Sequence, residues 1–519
     1  MTDAAATPYD AVLYPGLAYD YTHPDRLATI ASLHGLEGAP APCCRVLELG
    51  CGAGSNIIPM AFQYPGSEFL GIDLSETAIA KGVRDVADLG LKNITLRCAD
   101  IMHIDAGYGH FDYIIAHGVY SWVPAPVRER VLSILSGNLA PNGVAYVSYN
   151  SFPGSHLRNL TRDIMLHHAR DISDPQERVA QARGILKFLS DASAKDTVYG
   201  AVLRDQFARV AKMRDEVLFH DDLEETSTAF LLREVVDAAG RHGLQYLSDA
   251  TFARADLQHH AGPVVEVLDR LCGDDIVTRH QYQDFIEGHG FRRTLLCHGG
   301  ISLRRSVDPT CVKRYRLATS ARPVAEGIDP ATHDVASFRT QTGATISTDH
   351  RLGKAAILHL GDCWPQCVGF PELLQGALRR LGAVASELRM AEEEAELADL
   401  LFRAASGGHV GIHLSPPRLT VTVSERPQAS LLARKQVLAG PVVTNQQHRT
   451  VLLEDRIVRC FLQLVDGTRT VDDLVTDLRH ALATAASRGN DGNAGPEPVT
   501  RASVEKNLAL LVRMALLVA

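Results

Sequence analysis

The chain has 519 residues, enough for roughly three or four domains with several cores. Its 52 Lys and Arg against 61 Asp and Glu leave a formal charge of −9, which argues against a protein coated in nucleic acid. No apolar run reaches the ~18 residues of a membrane span, and the opening MTDAAATPYD has neither a basic nor an apolar signal region, so a cytoplasmic location is expected. The ten cysteines show no C-x-x-C spacing and read as reduced buried thiols, with no metal site expected.

In chain order, Tyr9, Tyr14, Tyr19 and Tyr21 crowd the N-terminus, and Thr22 is placed to cap a helix beginning near Pro24. Residues 44–49 read as a buried parallel strand. The loop Gly50-Cys51-Gly52-Ala53-Gly54 follows, and a helix starts at Asn56. Strand, glycine loop and helix form the first unit of a doubly wound α/β fold. Such a loop often takes a pyrophosphate, but Glu48 at the strand end adds negative charge there. A carboxylate suits a ligand with a cationic end, and S-adenosylmethionine (SAM) carries an ammonium and a sulfonium without any phosphate. A second strand, 69–72, ends at Asp73, placed to grip ribose hydroxyls, with Leu74 beside it. A third, 94–99, ends at Asp100-Ile101, an acid for the adenine amine and a side chain to pack on its ring. The fourth, 111–116, delivers His117 to the same sheet edge. Residues 126–139 read as a helix, Leu139–Gly143 as a turn, and Val144–Ser148 as a fifth strand.

The combination ELGCGAG, GIDLS, CADI and LAPNG over residues 44–150 resembles the class I SAM-dependent methyltransferases. The flanks are more specific. YPGLAYDYTHPDRLATIASLHGL, FDYIIAHGVYSWVP, VAYVSYNSFPGSHLRNLTRDIMLHHAR and the downstream SERPQASLLARKQ resemble the bacterial methyltransferases with a regulatory middle domain, among them the rickettsial protein-lysine methyltransferases. A departure stands at Thr226-Ser227-Thr228, where relatives are expected to have Asn-x-Pro.

The resemblance implies a cofactor set of Glu48, Gly50, Cys51, Gly52, Asn56, Asp73, Leu74, Asp100, Ile101 and His117. Tyr120, Trp122 and His117 are acceptor-channel candidates, with no firm base among them. Tyr21, Tyr149 and Asn150 are candidates for lining the acceptor side. Aromatic rings there could hold a sulfonium or an alkyl ammonium by cation–π contact, or simply cover the pocket.

The expected divisions are an N-terminal cap and methyltransferase domain (1–165), a helical dimerisation or lid segment (166–215), a mostly helical regulatory domain (216–305), a connecting domain (306–419) and a C-terminal winged-helix-like domain (420–519). Within these, VAQARGILKFLSDA and VLRDQFARVAKMRDEV read as one amphipathic helix each, and ASRGNDGNAGPEP as a loop. The C-terminal unit is near neutral, with Asp472, Asp473 and Asp477 among its arginines, so it reads as a recruiting or packing module rather than a DNA reader. The expected function is methyl transfer to protein lysines. A small-molecule acceptor, and a SAM-binding regulator without turnover, stay open. An N-terminal fragment 1–215 is expected to keep some cofactor binding, and a homodimer is a candidate state.

Overall fold

The computed structural model describes residues 12, 14–252, 262–382, 389–417, 419–488 and 499–518. Tyr9, residues 253–261 of the regulatory segment and residues 489–498 of the expected C-terminal loop lie outside them.

The expected strands form where apolar residues must be covered on both sides. β1 (Arg45–Leu49) pairs in parallel with β2 (Glu68–Asp73) and β4 (Phe111–Ala116), and β3 (Ile94–Cys98) extends β2. Alternate residues of β1 enter opposite cores. Val46 packs on the face covered by α1 (Pro24–Leu33) and α2 (Ile57–Gln63). Leu47 and Leu49 pack on the other face, with Val131, Leu132 and Leu135 of α4 (Ala125–Gly137). Between these, α3 (Glu76–Asp88) starts at Ser75, whose side chain accepts from the Ala78 N–H.

Two local expectations change. Thr22 does not cap α1; its hydroxyl lies 2.8 Å from the Tyr19 carbonyl oxygen and faces Asn56. The LAPNG turn is absorbed into β5, which runs from Leu139 to Ser151. It survives as an irregularity, since pairing with β4 jumps from Phe111–Leu139 to Tyr113–Val144. Tyr149 and Asn150 therefore lie inside a strand rather than after one.

The regulatory segment finishes this sheet. Helices do outnumber strands in it, namely α8 (Asp215–Asp222), α9 (Leu232–Arg241), α10 (Gly262–Cys272) and α11 (Ile276–Glu287). Its short β6 (Ala229–Phe230) pairs with the end of β5. Its β8 (Phe291–His298) lies antiparallel on β5, and β7 (Leu244–Asp249) lies antiparallel on β8. The order is β3-β2-β1-β4-β5-β8-β7, with β6 beside β5, so the expected boundaries at 165 and 216 do not separate sheets. The intervening helices are α5 (Ser155–His168), α6 (Pro175–Ala192) and α7 (Val198–Val210). The single helix expected over 202–217 divides between α7 and α8. Met165, Leu186, Val210 and Leu218 bind these elements in one core.

The connecting domain holds two three-stranded sheets and the helices Arg351–Cys363, Phe370–Leu381 and Met390–Ser406. It is stitched to α1 through Asp25, which accepts from the Ser415 N–H at 2.5 Å and pairs with His413 at 2.8 Å. The last unit has helices Leu431–Ala439, Arg456–Leu464, Val471–Arg488 and Arg501–Arg513, and a hairpin wing of strands Val442–Thr444 and Thr450–Leu452.

Candidate active site

The glycine loop makes its turn with backbone that side chains disfavour. Gly50 and Gly52 have φ of 70° and 54°. A Cβ on Gly50 would strike Val119 at 2.6 Å, while one on Gly52 would meet nothing within 4 Å, so Gly52 is open to a ligand. Opposite the loop runs the N-terminal segment. Gly16 lies so close to Ser55 that a Cβ there would overlap its side chain. Between them is a cavity of about 430 Å³, lined by the glycine loop, Glu48, Asn56, Asp73, Tyr14, Tyr19, His117, Trp122 and the start and end of α8.

Glu48 is buried at the floor. Its Oε1 accepts from Asn56 Nδ2 at 2.7 Å, and its Oε2 is buried without a partner. Burial pushes this carboxyl up to about 8; Asp73 raises it as well, and the Asn56 bond opposes. An orphaned carboxylate oxygen on a residue that lines a cavity is a group a ligand ammonium would satisfy. Asp73 ends β2 as expected. One oxygen accepts from the Gly52 N–H at 2.7 Å and the other from the Ser75 N–H at 2.9 Å, so β2 and the loop are locked together. A carboxylate retains lone pairs beyond these two for ribose hydroxyls.

His117 lines the cavity with Tyr19 at 4.2 Å ring to ring, and its Nδ1 meets Tyr146 Oη at 3.1 Å and Ser148 Oγ at 3.0 Å. Burial, helped by Arg293, pushes its imidazole down to about 3. A ring held so low is no base for an amine.

The remaining candidates scatter. Trp122 lines the cavity. Tyr120 does not; it is buried against Tyr149 and Phe230, with centroids at 6.2 and 5.3 Å. Tyr149 bonds Thr294 within the sheet at 2.8 Å, and the Asn150 side chain reaches Ser227 at 3.3 Å, at the junction with β6. Tyr21 stacks behind the cavity on Tyr146, under the Arg293 guanidinium at 4.1 Å. Leu74 is half exposed, Ile101 is partly buried, and Asp100 accepts from the Met102 N–H at the turn after β3. Neither Asp100 nor Ile101 is among the residues lining this cavity.

The wall facing the glycine loop was not foreseen. It comes from α8, through Arg214, Glu216, His220 and Asp221. His220 bonds the Val12 carbonyl at 2.6 Å and so pins the N-terminal segment. Arg158 and Arg209 are committed to the fully buried Asp222, at 2.8 and 3.1 Å. Asp221 meets the edge of Arg158 at 4.0 Å and is hydrogen-bonded to the Tyr14 side chain; burial pushes its carboxyl up to about 6. A helix distant in sequence carries these acids, and only the crowding of tyrosines hinted at what they face.

A doubly wound sheet, a glycine loop with a buried acid before it and a second acid at the end of β2 define a class I SAM-dependent methyltransferase. Residues 46–143 match the family described as "Methyltransferase domain", residues 214–298 the "Predicted methyltransferase regulatory domain" and residues 425–516 the "PKMT, C-terminal winged helix domain". An uncharacterised protein of Rickettsia prowazekii (strain Madrid E) is 33% identical over 462 residues, covering 87% of this chain and 82% of that one. PKMT2 from Rickettsia typhi, solved in complex with AdoHcy, superposes with a TM-score of 0.88 at 28% identity, covering 98% of this chain and 100% of that one. The chain belongs to this family of methyltransferases with a regulatory segment and a PKMT winged-helix domain.

Proposed function

We propose that this chain transfers methyl groups from SAM to lysine side chains of a protein. The observation that carries the reading is the acid and aromatic wall of the cavity. Asp221 and Glu216 stand with Tyr14 and Trp122 across from the glycine loop, an environment for a cationic group on an alkyl stem. Similarity to the rickettsial PKMT2 over nearly the whole chain supports it.

SAM, when bound, supplies a methyl already activated on a sulfonium, so positioning provides most of the remaining acceleration. Glu48 Oε2 would hold the ammonium of its amino-acid end, Asp73 the ribose, and the open face of Gly52 the chain between. Asp221 is ionised at neutral pH, since its carboxyl titrates near 6. It attracts the lysine ammonium and accepts its proton through a hydrogen bond, leaving the nitrogen lone pair free to attack. Tyr14 and Trp122 exclude water around the alkyl stem.

The test is incubation of the full-length protein with bacterial lysate proteins and isotope-labelled SAM, followed by peptide mapping. Methyl increments on lysine are expected. Asp221→Asn should lower turnover about tenfold or more with SAM affinity nearly unchanged. Label confined to small molecules, or to carboxylates that lose it in mild base, would overturn the lysine assignment. No transfer to any acceptor would leave a SAM-binding regulator.

A further inference from the structure

The wing of the C-terminal domain keeps Arg449, Thr450 and Leu452 exposed and packs its tip inward. It is folded back under the cofactor loop. His448, at its tip, is 1% exposed and has φ of 56°, a left-handed conformation unusual outside glycine and held here by its surroundings. Its Nε2 lies 3.0 Å from Asn56 Oδ1, across 392 residues of chain. The same oxygen accepts from the Tyr19 N–H at 3.0 Å. With two N–H donors on the oxygen side, the amide nitrogen of Asn56 must point the other way, where it donates to Glu48 Oε1 at 2.7 Å. Glu48, which lines the cavity, is thereby held by Oε1 with Oε2 left without a partner. The contact is not isolated. Thr450 Oγ1 bonds both the N–H and the carbonyl of Ala18 at 3.1 Å, Arg449 pairs with Asp20 at 3.1 Å, and Gln63 reaches the Gln446 carbonyl at 3.2 Å.

We propose that the wing of the winged-helix domain is a structural part of the cofactor site, with His448 as a positioning residue that orients Asn56 and, through it, Glu48. The domain then sets SAM affinity from behind the loop. Coupling of this kind is reciprocal: if the wing favours cofactor binding, the cofactor must steady the wing by the same factor.

Two measurements on the full-length protein decide it. The first is SAM calorimetry on His448→Phe, which keeps ring volume but has no donor, and on His448→Gln, whose amide nitrogen can stand near the place of Nε2. The Phe variant should bind about tenfold more weakly, as expected for a lost hydrogen bond to a site-forming group, and the Gln variant should recover most of that. A general packing role would instead lower the melting temperature of both alike and leave no rescue. The second needs no mutation. Hydrogen exchange across residues 442–452 of the wild type should slow when SAM is added. Unchanged exchange there, or wild-type affinity in a folded Phe variant, refutes the proposal.

Discussion

With Glu48 as the proposed partner of the cofactor's ammonium, cofactor binding should be a proton-linked event. Its carboxyl rises from about 4.5 when unfolded to about 8 in the folded site. A group raised in this direction contributes stability that is fully present below about 4.5 and is lost as pH climbs through about 8. The ligand-free protein should therefore lose this contribution over that window, seen as a falling melting temperature. An ammonium at Oε2 favours the ionised form, so binding near pH 7 should release close to one proton. Calorimetry in two buffers of unlike ionisation heat reads this directly. A buffer-independent heat would contradict the burial argument, and Glu48→Gln should abolish the dependence. Glu48, Gly50 and Asp73 were legible in sequence because residues at the ends of parallel strands share one sheet edge whatever the rest of the chain does. Tyr120, in the turn after β4, and Tyr149, inside β5, do not line the cavity, because turn geometry and strand length set where each side chain goes. Once β5 extends to Ser151, Tyr149 points into the sheet's packing instead of the cavity.

At the scale of elements, β8 and α11 are joined by an ion pair with almost no access to water. Arg292 bonds both oxygens of Asp284 at 2.7 and 3.0 Å, donates to the His280 carbonyl at 2.9 Å, and lies 3.5 Å from Asp249 on β7. The paired acids hold this guanidinium protonated against the cost of its burial. Asp284→Ala strands the charge and should cost ~3–5 kcal/mol in urea unfolding. A loss below about 1 kcal/mol would show that water reaches the site. The segments HGLQYLSDATF and GFRRTLLCH contain the two strands involved, but neither alternates apolar with polar residues, and the region reads as mostly helical. Their partner is hidden too, because β8 pairs with a strand more than a hundred residues earlier and nothing in local periodicity names it. The same limit hid α8. No local pattern singles out its acids, and only tertiary packing brings Asp221 to the cavity.

For the whole molecule, the regulatory segment is inseparable from the catalytic sheet. A fragment ending at residue 215 has β5 but neither β8 nor β7, leaving the longest strand of the sheet as a bare edge with its apolar face open. The expectation that such a fragment keeps cofactor binding is replaced by a different one. Fragment 1–215 should melt without a cooperative transition and should show no SAM binding by calorimetry. A sharp melt with retained binding would mean that β8 is an accessory. The sharing of one sheet between the methyltransferase and regulatory segments was not readable from composition and motifs, since it depends on which edge of β5 remains free.

The position of His448 also has a consequence in time. A ribosome makes the glycine loop well before His448, which contacts Asn56 across 392 residues of chain, and Thr450 closes onto Ala18 across 432. Contacts between such distant residues form slowly, because the intervening chain must be ordered first. A nascent or clipped chain lacking the wing can possess every acid that touches the cofactor and still hold Glu48 loosely. On this proposal competence to bind waits for the wing, so that copies lacking it should compete poorly for SAM.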